Sequence, residues 1–123
     1  MMGHTAVVGA GLVGSGWAIV FARAGKQVRV YDEVASIRDD FLTAVRRQLV
    51  DLKNYDLVDD PEAILARISV CDTLEDAVLG ARFVQESVFE DVAVKTKIST
   101  AIGPLLDDGA IVEGRFSAPA TTS

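Results

Sequence analysis

The sequence predicts a doubly wound α/β fold, with a parallel sheet sandwiched in three layers between helices. Three observations carry that prediction. Short β-branched runs alternate with amphipathic stretches along the chain, the order that gives parallel strands joined by right-handed crossovers. The first run, "TAVVG", is apolar without alternation, as a strand buried on both faces must be. Glycines sit at the joins between the segments, where tight turns and helix ends use them.

Residues 4–8 form the first strand, broken at Gly9. A helix follows from Leu12 to Ala24. Its residues Val13, Trp17, Val20, Phe21 and Ala24 recur at three- and four-residue spacing, which predicts a core-facing row containing both aromatic rings, with Gly25 as the terminating glycine. "QVRVYD" alternates as a second strand and ends on an acid. From Ser36 to Leu52, one stripe collects Ile37, Phe41, Ala44, Val45, Gln48, Leu49 and Leu52, the mark of a long amphipathic helix. Asp60 and Pro61 suit the cap and first turn of a short helix ending near Arg67. "RISVCD" is a third strand, and Thr73 caps a helix through Leu79 that Gly80 closes. "RFVQES" is a fourth strand, followed by an acidic turn and a helix from Val92 to Ile102 that Gly103 and Pro104 end. "DDGAIV" supplies a turn and one more short buried strand. With no repeat and no internal boundary, residues 1–112 read as one domain and residues 113–123 as an atypical, flexible tail.

A chain of 123 residues, half of them hydrophobic, can bury a single core without disulfides. The net charge is −6, and Arg23, Lys26, Arg29, Arg46 and Arg47 are scattered, which argues against nucleic acid as a partner. No basic segment precedes the first apolar run, and glycines cut that run short of a membrane span. A cytoplasmic protein with no membrane partner is the expectation. Cys71 is the only cysteine, so no intrachain disulfide forms and it reads as a structural residue at a strand end. His4 is the only histidine. It assembles neither a zinc site nor a catalytic triad and reads as a surface or strand-edge residue, so no metal is expected.

Gly9, Gly11 and Gly14 give G-x-G-x-x-G spacing between the first strand and the first helix. The first glycine permits a tight turn, the second lets a pyrophosphate approach the backbone, and the third lets helix and strand pack closely. Leu12 and Val13 fill the positions between the last two glycines and are counted with them as cofactor-binding. The helix start adds unpaired N–H groups and the positive end of its dipole, and Ser15 or Gly16 offers a further contact. Asp32 ends the second strand, 18 residues beyond Gly14, where a carboxylate accepts both ribose hydroxyls of an adenosine. It would repel a 2′-phosphate, which favours NAD over NADP. Its plainer alternative is to cap the helix that follows. Strand, glycines, helix, strand and acid in this order make a Rossmann-type dinucleotide site, although FAD proteins share the same opening.

At "VVGAGLVGSGWAIVFARAGKQVRVYD" and again at "ESVFEDVAVKTKI", the sequence resembles the NAD-binding domain of the L-3-hydroxyacyl-CoA dehydrogenase family, over roughly residues 5–112. "GSGWA" at 14–18, with Trp17, is similar to the λ-crystallin and L-gulonate 3-dehydrogenase branch. The resemblance implies an oxidoreductase of the fatty acid metabolism type with NAD as cofactor. Its reaction would take a 3-hydroxy acid or 3-hydroxyacyl-CoA to the 3-keto product. It also implies that Glu90 and Lys95, in the turn and first helical residues after the fourth strand, lie beside the cofactor. Read from the residues alone, Glu90 and Asp91 are equally suited to cap a helix, with Lys95 an exposed partner one turn on. Phe89 stands where the family often has proline.

Beyond the fifth strand the family continues into a serine- and threonine-rich segment, a catalytic histidine with its acidic partner, and a helical substrate domain. Here "EGRFSAPATTS" follows, out of that register. The expectation is therefore the cofactor-binding portion of a dehydrogenase, ending before the helical domain, with no catalytic residue of its own and no turnover alone. Apolar surface that such a domain covers would then be open to self-association, giving a homo-oligomer. The alternative is a free-standing NAD-binding sensor or interaction module.

Overall fold

The computed structural model describes residues 3–87, 100–106 and 109–113. The five strands are β1 (Thr5–Val8), β2 (Val28–Tyr31), β3 (Ile68–Val70), β4 (Phe83–Glu86) and β5 (Ile111–Glu113). They form one sheet in the order β3-β2-β1-β4-β5, every pairing parallel. The helices are α1 (Leu12–Arg23), α2 (Ala35–Asn54), α3 (Pro61–Leu65) and α4 (Leu74–Val78). Strand order reverses at β1, which lies between β2 and β4. In open α/β sheets that switch point opens the crevice where ligands bind.

All four residues of β1 are buried, because the sheet is covered on both faces. On one face Val7, Val28 and Val30 pack with Phe41, Val45 and Leu49 of α2, Ala18 and Ala22 of α1, and Ile64 of α3. On the other, Ala6, Val8 and Val84 pack with Ala77, Val78 and Ile102. The register Val7↔Val30 and Ala6↔Val84 keeps each set on its own side, as the period of two requires.

The stripe expected of α2 is the one observed: Phe41, Val45 and Leu49 are buried and Ile37, Ala44, Gln48 and Leu52 half-buried beside them. Helix α1 departs from expectation. It buries Gly14, Ser15, Ala18, Ile19 and Ala22, whereas Leu12 is 79% exposed, Val20 53%, Val13 49% and Trp17 38%. Ala24 is also exposed and Phe21 only half-buried. The reason is distance. A Cβ on Gly14 would stand 1.8 Å from the Gly9 carbonyl oxygen, so the first turn of α1 lies too close to β1 for a large side chain there, and small residues, with Ile19 further along, take the inner face. Trp17 and Phe21 instead form a stack, ring centroids 5.7 Å apart, and Phe21 meets Phe83 of β4 edge-on at 5.4 Å.

The end signals act as their chemistry predicts. The Asp60 side chain accepts from the Ala63 N–H at 3.2 Å and the Thr73 hydroxyl from the Asp76 N–H at 3.0 Å, capping α3 and α4. Gly25 and Gly80 follow α1 and α4 with φ of 93° and 79°, a conformation that favours glycine. Helix α3 stops at Leu65, two residues before Arg67. Gly103–Leu105 form a 3₁₀ turn that ends the helical residues 100–102; residues 92–99 of the expected helix lie outside the described residues.

Strand β5 is not buried as expected. Ile111 is 55% exposed, Glu113 is exposed, and only Val112, facing the Ile102 side, is half-buried. As an edge strand it pairs only with β4, and α1 packs chiefly over β1 and β2. None of the described helices is long and apolar enough to cross a membrane.

Candidate functional site

The carboxyl end of β1 leads into a bend that starts at Gly9, whose φ of 106° a side chain would strain. The Gly9 N–H donates to the Tyr31 carbonyl at 2.7 Å, fixing the bend to the end of β2. The next N–H, of Ala10, donates to Asp32 Oδ2 at 2.8 Å. The Val34 N–H donates to Asp32 Oδ1 at 2.9 Å. The carboxylate therefore faces the glycine bend and holds the turn that precedes α2, but it does not cap that helix, whose N-cap is Val34 with no side-chain hydrogen bond. Two carboxylate oxygens offer about four acceptor positions; with one backbone N–H on each, acceptor capacity remains on both.

Arg38, which spacing did not single out, completes this turn. Its guanidinium donates to the Asp32 backbone carbonyl at 2.7 Å and lies 5.6 Å from the centroid of the Tyr31 ring, a cation–π distance. One side chain thus holds the end of β2 and the start of α2 in a single arrangement around the acid. Ala10 was equally unforeseen, because what it contributes is its backbone N–H, which no residue type announces.

Gly11 is the N-cap of α1, with no side-chain hydrogen bond capping it and no acid in the first turn. A Cβ on Gly11 would meet nothing within 4 Å, so the main chain there is open to approach. The N–H groups of Leu12, Val13 and Gly14 begin a helix and have no carbonyl one turn earlier within it, while the Leu12 and Val13 side chains stand in solvent. An anion placed here meets main-chain donors and the positive end of a 12-residue helix. Gly14 lets that helix end come close: its missing Cβ is the condition for contact with the Gly9 carbonyl.

Ser15 does not extend the cradle. Its hydroxyl is buried, donating to the Leu12 carbonyl at 2.8 Å and accepting from Gln48 Nε2 at 2.7 Å, so it ties α1 to α2. Glu90 and Lys95 lie outside the described residues. A cleft of about 280 Å³ opens beside the bend between α1 and α2, lined by Gly11, Leu12, Ile37, Asp40, Ala44 and Gln48. A larger hollow, about 810 Å³, surrounds Gly3, His4, Lys26 and Gly80. It lies at the amino ends of the strands, away from the crevice where this class of sheet binds ligands.

His4 is part-buried rather than a free surface residue. Its Nε2 lies 2.6 Å from the Ala77 carbonyl and so carries the hydrogen. Burial holds the imidazole below its usual pKa, with Arg29 acting in the same direction and the Ala77 bond against it. The only histidine of the chain is thus a tie between β1 and α4, at the far end of the sheet from the bend. Cys71 sits half-buried at the end of β3, where burial pushes its thiol pKa up, opposed by Arg29. A protonated thiol away from the bend fits the structural role expected of it. No cluster of metal-ligating side chains occurs among the described residues.

These features fit an adenine dinucleotide: open backbone at Gly11, an uncapped helix start, close packing at Gly14, and an acid on the neighbouring strand facing the bend. Comparison with known proteins agrees. The family described as 3-hydroxyacyl-CoA dehydrogenase, NAD binding domain, matches residues 4–121. The lambda-crystallin homolog of Bos taurus is 36% identical over 118 residues, 94% of this chain and 37% of the relative. The L-carnitine dehydrogenase/betainyl-CoA thioesterase of Ruegeria pomeroyi is 36% identical over 114 residues, 90% of this chain and 22% of that protein. Among solved structures, FadB2 of M. tuberculosis superposes with a TM-score of 0.82 at 28% identity, covering 90% of this chain and 40% of its own. The chain thus spans well under half the length of the proteins it matches. Its cofactor is NAD, and the chain belongs to the 3-hydroxyacyl-CoA dehydrogenase family as an NAD-binding domain of that family.

Proposed function

We propose that this chain is the NAD-binding part of an oxidoreductase that takes a 3-hydroxy acid or 3-hydroxyacyl-CoA to the 3-keto product, with Gly9, Gly11, Leu12, Val13, Gly14 and Asp32 holding the cofactor. The observation that carries the assignment is the bond from the Ala10 N–H to Asp32 Oδ2. It orients a carboxylate toward the glycine bend, with acceptor capacity left for ribose hydroxyls, which supports a pyrophosphate at that bend. NAD, when bound, supplies the hydride acceptor. The chain's own residues bind and orient it. Glu90 and Lys95 are assigned to the same cofactor on the family resemblance, and the substrate class rests on that resemblance too. The described residues furnish the cradle and not the proton acceptor, since His4 is held at the opposite end of the sheet. Homo-oligomer formation is proposed as well, supported by the apolar side chains that α1 leaves exposed.

Titration calorimetry with NAD, NADP and FAD tests the cofactor site. NAD binds tightest, and Asp32→Ala weakens NAD by roughly tenfold or more, since hydrogen bonds to a charged group contribute about 1.5–3 kcal/mol. The same change narrows the gap between NAD and NADP. Equal affinity of the unaltered chain for NAD and NADP would remove the ribose role of Asp32.

A further inference from the structure

Ser87 makes the last ladder bond of β4: its N–H donates to the Val8 carbonyl at 2.7 Å, one residue before the Gly9 bend. Its hydroxyl oxygen is withdrawn from solvent and, among the described residues, is a buried side-chain polar atom without any hydrogen-bond partner. Such an atom is unfavourable in a folded chain unless something else satisfies it. Alternation along β4 carries Ser87 to the same face as Phe83 and Gln85. That face is the one α1 covers, as the Phe21–Phe83 ring contact shows. On this side of the sheet the first turn of α1 presses on Gly9 through Gly14. The orphan hydroxyl is therefore at the base of the glycine bend, on the β4 side of the point where strand order reverses.

Ser15 shows what a serine satisfied within the protein looks like, with its hydroxyl both donating and accepting. Ser87 has neither bond. Asp32 serves the bend from β2, on the other flank of β1, where an adenosine ribose would lie. The nicotinamide nucleoside would extend beyond β1 on the β4 side, and the pyrophosphate is the part of the dinucleotide held at the bend itself, next to where the Ser87 N–H meets the Val8 carbonyl. We propose that Ser87 is a further cofactor-positioning residue whose hydroxyl donates, directly or through one water, to the pyrophosphate held at the Gly9–Gly14 bend. The inference rests on the dinucleotide reading of that bend.

The test is Ser87→Ala in the 123-residue chain, titrated with NAD, ADP and adenosine and melted without ligand. Affinity for NAD and for ADP falls about tenfold, as loss of one hydrogen bond to a charged group implies, while adenosine binds as before. The unliganded Tm is unchanged or higher, because a buried unpaired hydroxyl has been removed. A serine with a purely structural role would lower the Tm and weaken all three ligands alike. NAD and ADP affinities within twofold of the unaltered chain overturn the proposal, as does an equal loss for adenosine. Failure of the unaltered chain to bind NAD or ADP is a separate result, which rejects the dinucleotide reading and this role with it.

Discussion

Helices α1 and α2 pack on the same face of the same sheet and follow opposite rules. Helix α2 turns an apolar stripe of Phe41, Val45 and Leu49 inward. Helix α1 buries Gly14, Ser15, Ala18 and Ala22 with Ile19 as its one large buried side chain, and leaves Leu12, Val13, Trp17 and Val20 exposed. For α2, depth of burial is the organising requirement, and each large side chain removed from water stabilises the fold by about 1.5–3 kcal/mol. For α1, the requirement is proximity. Its amino end must reach the bend after β1, and at position 14 only glycine permits the contact with the Gly9 carbonyl. A helix whose end is brought against the bend is packed differently from one that serves the core by its flank.

Substitutions separate the two rules. Leu49→Ala in α2 lowers unfolding free energy by about 3–5 kcal/mol, since a fully buried leucine leaves a cavity. The NAD affinity of the molecules that remain folded is unchanged, which calorimetry on the folded fraction would measure. Gly14→Ala in α1 is expected to cost about 1–3 kcal/mol through overpacking against the Gly9 carbonyl. Unlike Leu49→Ala, it also abolishes measurable NAD binding, because the helix start is pushed off the bend. Intact NAD binding in Gly14→Ala would show that close approach is not what the small residues of α1 provide. Val20→Ser on the outer flank changes stability by less than about 0.5 kcal/mol and shifts sedimentation toward monomer; a stability loss like that of Leu49→Ala would mean this flank belongs to the core.

The opposite face of the sheet holds a helix by a third means. Helix α4 is only five residues long and is tied at its carbonyls by side chains from the sheet: His4 to Ala77 O at 2.6 Å and Arg29 to Asp76 O at 3.1 Å. Cationic and N–H donors near helix carbonyls are favourable. Because burial lowers the His4 pKa in the folded chain, the unfolded chain takes up the proton first. The stabilising effect is complete above the unfolded value near 6.5 and is lost as pH falls below it. Melting curves at pH 7 and pH 5 should therefore show a smaller drop for His4→Gln than for the unaltered chain. An identical drop would free the imidazole from any role in the pH response.

Much of this was legible from residue order. The α2 stripe from Ile37 to Leu52, the caps at Asp60 and Thr73, the closing glycines 25 and 80, and the glycine bend with Asp32 on the next strand all depend on spacing within a segment or across one turn. The misreadings share a cause. Trp17 and Phe21 have helical spacing consistent with either flank of α1, and spacing does not say which flank meets the sheet. "AIV" after a turn resembles a buried strand, but Ile111 is open because β5 is an edge. Ser15 follows the bend as a ligand contact would, yet Gln48, 33 residues on, claims its hydroxyl.

From residue order alone come the succession of strands and helices, the place of the glycine bend and the sign of the charge opposite it, because these follow from local periodicity and from the conformations glycine permits. Assembly in three dimensions settles how near α1 comes to β1, which residues face inward as a result, and that Asp32 bonds the bend and its own turn together. It also leaves the Ser87 hydroxyl, among the described residues, buried without a hydrogen-bond partner. Those are matters of distance between segments far apart in the chain, and periodicity within a segment carries no measure of that distance.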